Sequence, residues 1–355
     1  MKLEFKPDFE QARQNWDAFW KGENKRPPVW ITIPKPGVTP PDPPAYLEAF
    51  DGDFEPVIDK ALAWGESYDF LGDRIPSFEL EFGADTFSSY LGADLRIMPG
   101  HERNTSWCVP FVKDWDDVEI KFRRDSYWWQ RTEAFIKAIR ARCDGKLLIT
   151  PPTLVANLDA LAAIRGIENL LADLVECPDK VKHALSRVCD AHTEILQAYS
   201  ELLDFDTYGS INIEGFYTSG RHSRPQCDMS CMISPEMFRE FVIPALEREA
   251  ADTDTFVYHL DGPDALQHLD ALLDLDFLDL ISFVPGVLGK GKDWSWVDKK
   301  AIGRGKLTCR TIYDHDELKR VCANPPTRRI IFETTASSKT EAEDLIADME
   351  KIWAR

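Results

Sequence analysis

A histidine and an aspartate end one of the most apolar runs of the chain. Residues 256–262 read FVYHLDG. If this run is a β-strand, His259 and Asp261 project from the same face, because side chains alternate with a period of two. An imidazole and a carboxylate on one face can hold a metal ion or pass a proton. The other interpretation is that His259 ends the strand and Asp261 begins the helix after Gly262.

Polar residues end other apolar runs in the same way. Glu214, Arg310 and Glu333 each close a β-branched or apolar run. The carboxyl ends of parallel strands in a barrel form one face, and active sites lie there. We therefore predict that Glu214, Asp261 and Glu333 converge with His259 on one cavity. For any single acid, helix capping or an exposed loop position is the more common role.

Composition limits the classes of partner. The chain has 355 residues, of which 44% are hydrophobic, enough for a large core. A formal net charge of -19 leaves no basic face for nucleic acid or anionic lipid. The N-terminal segment lacks the apolar core of a signal peptide, and no apolar run reaches membrane-spanning length. We expect a cytoplasmic protein that binds neither nucleic acid nor membrane.

Short apolar runs alternate with helical patterns along the chain, which indicates repeated βα units. The runs that predict buried parallel strands are Val29–Pro34, Lys146–Thr150, Tyr208–Glu214, Thr255–Leu260, Phe277–Val284, Lys306–Arg310 and Arg329–Glu333. One further strand between Asp69 and Met98 brings the expected number to eight. The helical patterns are Leu158–Val175, Pro178–Leu203, Pro235–Ala251, Asp264–Leu273, His315–Val321 and Lys339–Trp353.

Eight βα units predict an α/β protein with one (β/α)8 TIM barrel over residues 1–355. An open doubly wound sheet would carry a glycine-rich dinucleotide turn after its first strand, and none follows Pro34. The segment before Val29 is then an N-terminal extension. Residues 34–44, rich in proline, and 107–129, rich in aromatic residues, are expected to form long loops around the rim.

Several other residues are candidates for binding or catalysis. Cys227 can be a catalytic thiol or ligand, or a small apolar residue packed in a loop. Asp228 beside it can bind substrate or simply be solvated. His222 lies in a polar, basic loop at 219–225 that can close over an acidic ligand group or stay in solvent.

Aromatic residues near the predicted strand ends suggest a flat or cationic ligand. Phe216, Tyr217 and Trp294 each lie within a few residues of such an end. Their rings can stack on a sugar, a corrin edge or an aromatic ether, and can hold a quaternary ammonium group. The alternative is that they only seal loops. We place all three with Arg310 among the expected substrate-binding residues.

Two blocks of sequence resemble the uroporphyrinogen decarboxylase superfamily. The first comprises ANLDALAAIRG at 156–166, LLADL at 170–174 and CPDKV at 177–181. The second comprises CDMS at 227–230 and ISPEMFREFVIP at 233–244. The resemblance extends from Arg26 to the last helix. It implies a (β/α)8 barrel with its active cavity at the carboxyl ends of the strands.

The decarboxylases that give the superfamily its name have an arginine-bearing, glycine-rich loop after a segment similar to Pro28–Trp30. Here no arginine follows until Arg74. A substrate with many carboxylates needs several cationic partners, so that particular decarboxylation is not expected.

The corrinoid-dependent methyltransferases of the superfamily bind zinc through a His-x-Cys pair and a later cysteine. The resemblance places His259 at the first ligand position and Asp261 where that family has the first cysteine, and residues 333–338 contain no cysteine. His259, Asp261 and Glu333 then predict a divalent metal site. Zinc is the first expectation, and the oxygen ligands leave manganese, iron and magnesium open.

These features predict a metal-dependent, methyltransferase-like enzyme. It would move a methyl group between a small methylated compound and a corrinoid carried by a partner protein. The alternative is a metal-free decarboxylase or lyase of the same superfamily, acting on a small carboxylated substrate. In that case Asp261 and Glu214 would exchange a proton and Arg310 would hold the carboxylate. Pairing through helix faces into a homodimer is left open.

Overall fold

The computed structural model describes residues 2–45, 47–97, 105–323 and 328–354. The strands in this part of the chain are β1 (Val29–Pro34), β2 (Tyr68–Gly72), β3 (Ser77–Glu79), β4 (Asp94–Ile97), β5 (Ser106–Val109), β6 (Leu148–Thr150), β7 (Ser210–Ile211), β8 (Tyr217–Thr218), β9 (His222–Ser223), β10 (Thr255–Asp261), β11 (Leu280–Val284), β12 (Leu307–Thr311) and β13 (Ile330–Thr334). Each predicted apolar run overlaps one of them, and β3 lies in the interval where the eighth was expected.

Helices separate most of these strands, as βα repetition requires. They are α1 (Phe9–Trp20), α2 (Glu55–Glu66), α3 (Thr86–Ser89), α4 (Tyr127–Cys143), α5 (Asn157–Arg165), α6 (Ile167–Glu176), α7 (Pro178–Leu203), α8 (Phe205–Tyr208), α9 (Pro235–Met237), α10 (Ile243–Ala250), α11 (Leu269–Leu273), α12 (Gly286–Gly289), α13 (Ser295–Gly303), α14 (His315–Cys322) and α15 (Lys339–Trp353). Within the described ranges, no helix has the length and apolar character needed to cross a bilayer.

The central sheet is mostly parallel. Its order is β2-β1-β13-β12-β11-β10-β9, and β2 is the antiparallel strand at one edge. Neighbouring registers bring His259 of β10 beside Ser282 of β11, and Trp30 of β1 beside Glu333 of β13. The carboxyl ends of five parallel strands (β1 and β10–β13) therefore lie along one edge, as the active-site prediction requires.

The remaining strands form three separate pairs in the described residues: β3 with β6, β4 with β5, and β7 with β8. Only the β3–β6 pair is parallel, with Ser77 beside Leu148. The hydrogen bonds between strands thus join seven strands into one sheet and the other six into three two-stranded sheets. The predicted closed barrel is borne out at the coarser level of a mixed α/β fold with a mostly parallel central sheet.

The N-terminal extension is tied to the edge of the central sheet. Trp16 of α1 is fully buried and donates its indole N–H to the carbonyl of Asp73 at 2.9 Å. The Asp73 carboxylate is also fully buried, pairs with Arg26, and accepts the N–H of Val29 at 2.9 Å. Because a buried carboxylate is costly without such partners, this pairing fixes how the chain enters β1.

Several predicted elements are wrong in detail. Of the helix expected over Asp264–Leu273, only Leu269–Leu273 is α-helical, and a 3-10 helix over Pro263–His268 precedes it. The helix expected over Leu158–Val175 is broken at Gly166, whose φ of +91° ends α5 before α6 begins. The strand expected over Tyr208–Glu214 is only two residues long, Ser210–Ile211. After it the chain reverses at residues 212–216 into the antiparallel β8. This β7–β8 hairpin decides where Glu214 and the residues after it lie.

Candidate functional site

Three charged or titratable side chains meet at the edge where the parallel strands end. His259 Nδ1 lies 2.7 Å from Glu214 Oε1, and Arg224 Nη2 donates to the same oxygen at 2.6 Å. Their side chains are 13%, 19% and 5% exposed, in that order. We call these residues the His-Glu-Arg group. Since a carboxylate only accepts, Nδ1 of His259 is the protonated nitrogen in the neutral ring.

The β7–β8 hairpin places Glu214. The side-chain oxygen of Asn212 accepts the N–H groups of Glu214 and Phe216 at 3.1 and 2.9 Å, which stabilises the reversal. Burial raises the pKa of the Glu214 carboxyl, but hydrogen bonds and charges from His259 and Arg224 outweigh it and lower the pKa to about 2. Glu214 is therefore an anion at neutral pH. Because it carries no proton at that pH, Glu214 is not a proton donor. Its role is to orient His259 and to stabilise an imidazolium.

Glu214 of the His-Glu-Arg group lines a cavity of about 860 Å³, the main cavity, whereas His259 and Arg224 contact Glu214 and are not among the lining residues. The cavity is large enough for a small molecule. Five residues predicted from the sequence line it: Glu214, Phe216, Trp294, Arg310 and Glu333. Nε2 of His259 has no hydrogen-bond partner in the described part of the chain and is not sealed from solvent. That nitrogen is free to exchange a proton with a ligand.

Polar residues of the main cavity are already partly paired. Arg310 Nε donates to Asp298 Oδ2 at 3.0 Å, and Thr308 donates to the other Asp298 oxygen at 2.9 Å. Glu333 accepts from the Thr311 hydroxyl at 3.2 Å. Arg310 lines the cavity, but Asp298 already balances its charge. It would therefore bind a substrate carboxylate less strongly than the sequence suggests.

Aromatic rings form part of the cavity surface. Trp294 packs edge-on against Phe283 with ring centroids 5.2 Å apart, and its indole N–H donates to the Gly289 carbonyl at 2.9 Å. Phe216 lies against Trp30 at 5.4 Å. These contacts fix the rings in place, so they offer rigid faces to a flat ligand.

Acidic side chains surround the outer end of β10. Asp261 is exposed at the last position of the strand. Desolvation and then the nearby charge of Asp261 raise the pKa of Asp228. Burial and the charge of Asp228 raise the pKa of Asp159 to about 7, although Asp159 accepts the N–H groups of Asp228 and Met229. Asp261 and Asp228 thus lie near each other but outside the lining of the main cavity.

Cys227 belongs to the hydrophobic core. It is 4% exposed, and burial raises the pKa of its thiol well above the usual value. A buried neutral thiol is a poor nucleophile and a poor metal ligand. Of the two roles expected for Cys227, the structure shows packing, because the chain turns inward at this residue before the 3-10 turn Asp228–Met232.

Tyr217 and His222 also lie away from the lining of the main cavity. The hydroxyl of Tyr217 donates to the Tyr208 carbonyl at 2.9 Å, and its ring meets Phe9 at 5.7 Å. His222 accepts from Asn212 at 2.9 Å and donates to the Thr255 hydroxyl at 2.8 Å. Burial lowers the pKa of His222 to about 3, so it is neutral. Tyr217 is buried on β8 of the hairpin, and His222 is buried on β9 between Asn212 and Thr255.

The expected metal ligands do not form a set of three. In the described residues, no group of three or more His, Cys, Asp or Glu side chains is arranged to hold a metal ion. His259 and Asp261 share one face of β10, whereas the Glu333 carboxylate is bonded to Thr311. The cationic Arg224 next to Glu214 also disfavours a further positive ion at that carboxylate. These residues do not fit a three-ligand site, and the divalent metal stays a prediction.

Arg224 and Trp30 were not identified from the sequence, although both belong to the site. Arg224 lies in the basic loop at 219–225, which did carry a signal of function through His222. The contact of Arg224 with Glu214 depends on the hairpin, whose local signal is the turn pair Asn212 and Gly215. Trp30 occupies an ordinary strand position in β1 and lines the cavity.

Comparison with known proteins finds likeness among solved structures. No family model and no curated protein matches the chain. Among solved structures, a methyltransferase from Methanosarcina mazei is similar, with a TM-score of 0.63 and 14% sequence identity. The match covers 96% of this chain and 99% of that chain. At this identity the likeness shows the fold: both chains share one mixed α/β architecture over nearly their whole length.

Proposed function

We propose that this protein is an enzyme that transfers a methyl group to or from a small molecule bound in the main cavity. The observation that carries the proposal is the His-Glu-Arg group: its Glu214 lines that cavity, and Nε2 of His259 has no hydrogen-bond partner among the described residues. The shared fold with a solved methyltransferase supports the reaction class. The position of the group at the carboxyl ends of parallel strands supports a catalytic role.

The proposal includes a closed (β/α)8 barrel. Its support is one hydrophobic cluster to which each expected barrel strand, or the segment leading into it, contributes a buried residue. These residues are Trp30, Ile75, Leu148, Ile211, Val257, Leu280, Leu307 and Ile331. Side chains from all the strands meet in one layer only when the strands curve around a common axis. In this view α1, which joins the same cluster through Phe9 and Trp16, covers the amino-terminal end.

The proposed chemistry is proton transfer coupled to methyl transfer. An O–H, N–H or S–H nucleophile attacks the methyl carbon, and the bond from that carbon to its former heteroatom or metal breaks. His259 Nε2 takes the proton of the nucleophile as the new bond forms. Glu214 stabilises the resulting imidazolium, and Arg224 keeps Glu214 ionised. In the reverse direction His259 returns the proton to the heteroatom that loses its methyl group.

A corrinoid held by a partner protein is the proposed second methyl carrier; when bound, it supplies a cobalt that accepts or donates the methyl group. Exposed apolar side chains near the main cavity support a protein partner. Val284, Val287, Trp296 and Tyr313 are 39%, 86%, 45% and 68% exposed. They lie on or just after β11 and β12 and at the start of α13. Apolar groups gathered near a cavity mouth are typical of interaction surfaces.

The alternative decarboxylase or lyase gains less support. It would need Glu214 to give up and take back a proton near neutral pH, but the pKa of Glu214 is lowered to about 2. It would also need Arg310 to hold the substrate carboxylate, and Arg310 is paired with Asp298. We therefore place this function second.

Methylcobalamin formation tests the proposal. Purified protein is mixed with cob(I)alamin and a panel of O-, N- and S-methyl compounds, and visible absorbance records the methylated product. We expect H259Q to lower the rate at least about 100-fold, because general acid–base catalysis typically contributes that much or more. The matched control is H183Q, since His183 is an exposed histidine of α7.

Two results would decide against this scheme. A rate that is equal in H259Q and the wild type would show that His259 is not the acid–base residue. Loss of the rate on chelation, with recovery on adding one divalent metal, would favour the metal-dependent version predicted from the sequence.

A further inference from the structure

Arg74 lies in the segment between β2 and β3, and its guanidinium is unpaired within the part of the chain that the structure describes. Other largely buried arginines have carboxylate partners: Arg26 pairs with Asp73, and Arg224 with Glu214. In the described residues no acidic side chain lies within ion-pair distance of Arg74, and none of its side-chain nitrogens has a hydrogen-bond partner. A desolvated cation without a partner is costly, so its presence calls for an explanation.

The guanidinium lies against residues that line the main cavity. Its central carbon is 5.3 Å from the centre of the Trp30 ring. A Cβ added at Gly215 would lie 2.3 Å from Arg74 Nη1, so the glycine leaves the space that the guanidinium fills. Trp30 and both neighbours of Gly215, which are Glu214 and Phe216, line the cavity. None of the Arg74 nitrogens is sealed from solvent.

The charge and the N–H groups of the Arg74 guanidinium are not compensated by the described residues around it. Burial lowers the pKa of the Arg74 guanidinium, and the more distant charge of Glu333 opposes that shift. Arginine stays protonated throughout the physiological range even so. Trp30 supplies a cation–π contact, which satisfies the face of the guanidinium but not its N–H groups. Those N–H groups form a planar fork that matches a carboxylate.

We propose that Arg74 binds the carboxylate of the substrate, which makes the substrate a small monocarboxylate. The assignment rests on the proposed function for the identity of the cavity as a substrate site. Trp30 and Phe216 then pack against the apolar body of the ligand, and the carboxylate completes the coordination of Arg74. Arg310 has no comparable role, because Asp298 already balances its charge.

Binding of benzoate and of its neutral isostere benzamide tests the assignment. Affinities are measured by isothermal titration calorimetry on the full chain, and tryptophan fluorescence gives a second signal because Trp30 lies under the guanidinium. We expect benzoate to bind the wild type, with R74Q lowering its affinity about 10- to 100-fold, the usual effect of losing a charge-assisted hydrogen bond. R74K should fall between the two, and benzamide binding should change little.

Controls separate Arg74 from the other arginines. R96Q removes an exposed arginine of β4 and should leave benzoate binding unchanged. Circular dichroism and thermal unfolding identify any variant that fails to fold; R74K then carries the comparison if R74Q does not fold. The assignment is overturned if R310Q weakens benzoate binding while R74Q and R74K do not. It is also overturned if inorganic phosphate binds through Arg74 and benzoate does not.

The binding experiment is independent of turnover. If benzoate binding depends on Arg74 but the protein transfers no methyl group, the proposed function is wrong and the role of Arg74 as a carboxylate site stands. If the protein transfers methyl groups from neutral compounds only and benzoate binding does not depend on Arg74, the role of Arg74 is wrong and the proposed function stands.

Discussion

At the scale of residues, Glu214 contacts two side chains with different roles: Arg224 balances its charge, and His259 is oriented by it. Its carboxylate accepts from Arg224, which balances its charge, and from His259, whose other ring nitrogen is then free for a ligand. A carboxylate that orients an imidazole fixes its tautomer and stabilises its protonated form. Removing one member of such a buried pair leaves the other charge uncompensated, so stability and activity are linked at this site.

A double-mutant cycle measures that link. We expect E214Q to lower the free energy of unfolding by about 3 kcal/mol, because Arg224 would be left buried without a counter-charge. R224Q should have a similar cost. The double variant E214Q/R224Q should lose clearly less than the sum, since no unpaired charge is left. Urea unfolding measures all four proteins, and additive losses would show that the two side chains do not depend on each other.

At the scale of elements, the β7–β8 hairpin decides the composition of the site. It turns Glu214 and Phe216 toward the main cavity and leaves Tyr217 and His222 in structural contacts. Gly215 permits the turn, since its φ is +88° and a side chain there would meet Arg74. A short hairpin in place of one long strand thus brings an acid, an aromatic ring and a space for a guanidinium to one place.

Alanine at Gly215 tests the role of the hairpin. G215A should lower the free energy of unfolding by about 1 kcal/mol, the cost of a side chain in the left-handed region. It should also weaken benzoate binding about 10-fold, because the new methyl group displaces a charge-assisted hydrogen-bond donor.

The matched control is G22A. Gly22 has a φ of +71°, and no atom lies within 4 Å of an added Cβ. G22A should show the same loss of stability with no change in benzoate affinity. Equal benzoate affinities in G215A and G22A would contradict the role given to Gly215.

At the scale of the whole molecule, the net charge is -19, yet the candidate site contains arginine side chains. Arg74 contacts Trp30 and Arg224 pairs with Glu214, two residues that line the main cavity. Acids such as Asp228 and Asp261 surround the outer end of β10. The summed negative charge repels anions at long range, and salt screens it beyond about 10 Å. A monocarboxylate would therefore bind through local contacts with Arg74.

Acid should weaken the whole fold in part through Glu214. The pKa of this carboxyl is about 2 in the folded chain, below its ordinary value of 4.5. A lowered pKa contributes stability that is complete above pH 4.5 and is lost as pH falls toward 2. The difference in unfolding free energy between wild type and E214Q should therefore shrink over that window. Urea titrations at pH 7, 4.5 and 3 measure it, and a constant difference would contradict the lowered pKa.

Much of the fold is predictable from local sequence. The runs ending at His259, Arg310 and Glu333 are strands because β-branched and apolar residues favour a buried, pleated backbone. The break at Gly166 and the turn at Asn212 and Gly215 have local signals, because glycine favours positive φ and asparagine favours turns, but periodicity alone does not show them. The candidate site follows from strand ends only in part, because the contacts of Arg224, Trp30 and Arg74 join residues far apart in sequence.

The sequence by itself determined the alternation of strands and helices, the acidic surface, and the set of polar residues at the carboxyl ends of the strands. Periodicity and composition are local properties, and they act before distant parts of the chain meet. Only the tertiary structure decided that Glu214 pairs with His259, that Cys227 and Tyr217 are packed inside, and that Arg74 has no partner among the residues described. Those outcomes depend on a hairpin that reverses within a few residues and on side chains far apart in sequence, and burial then determines which charges are compensated.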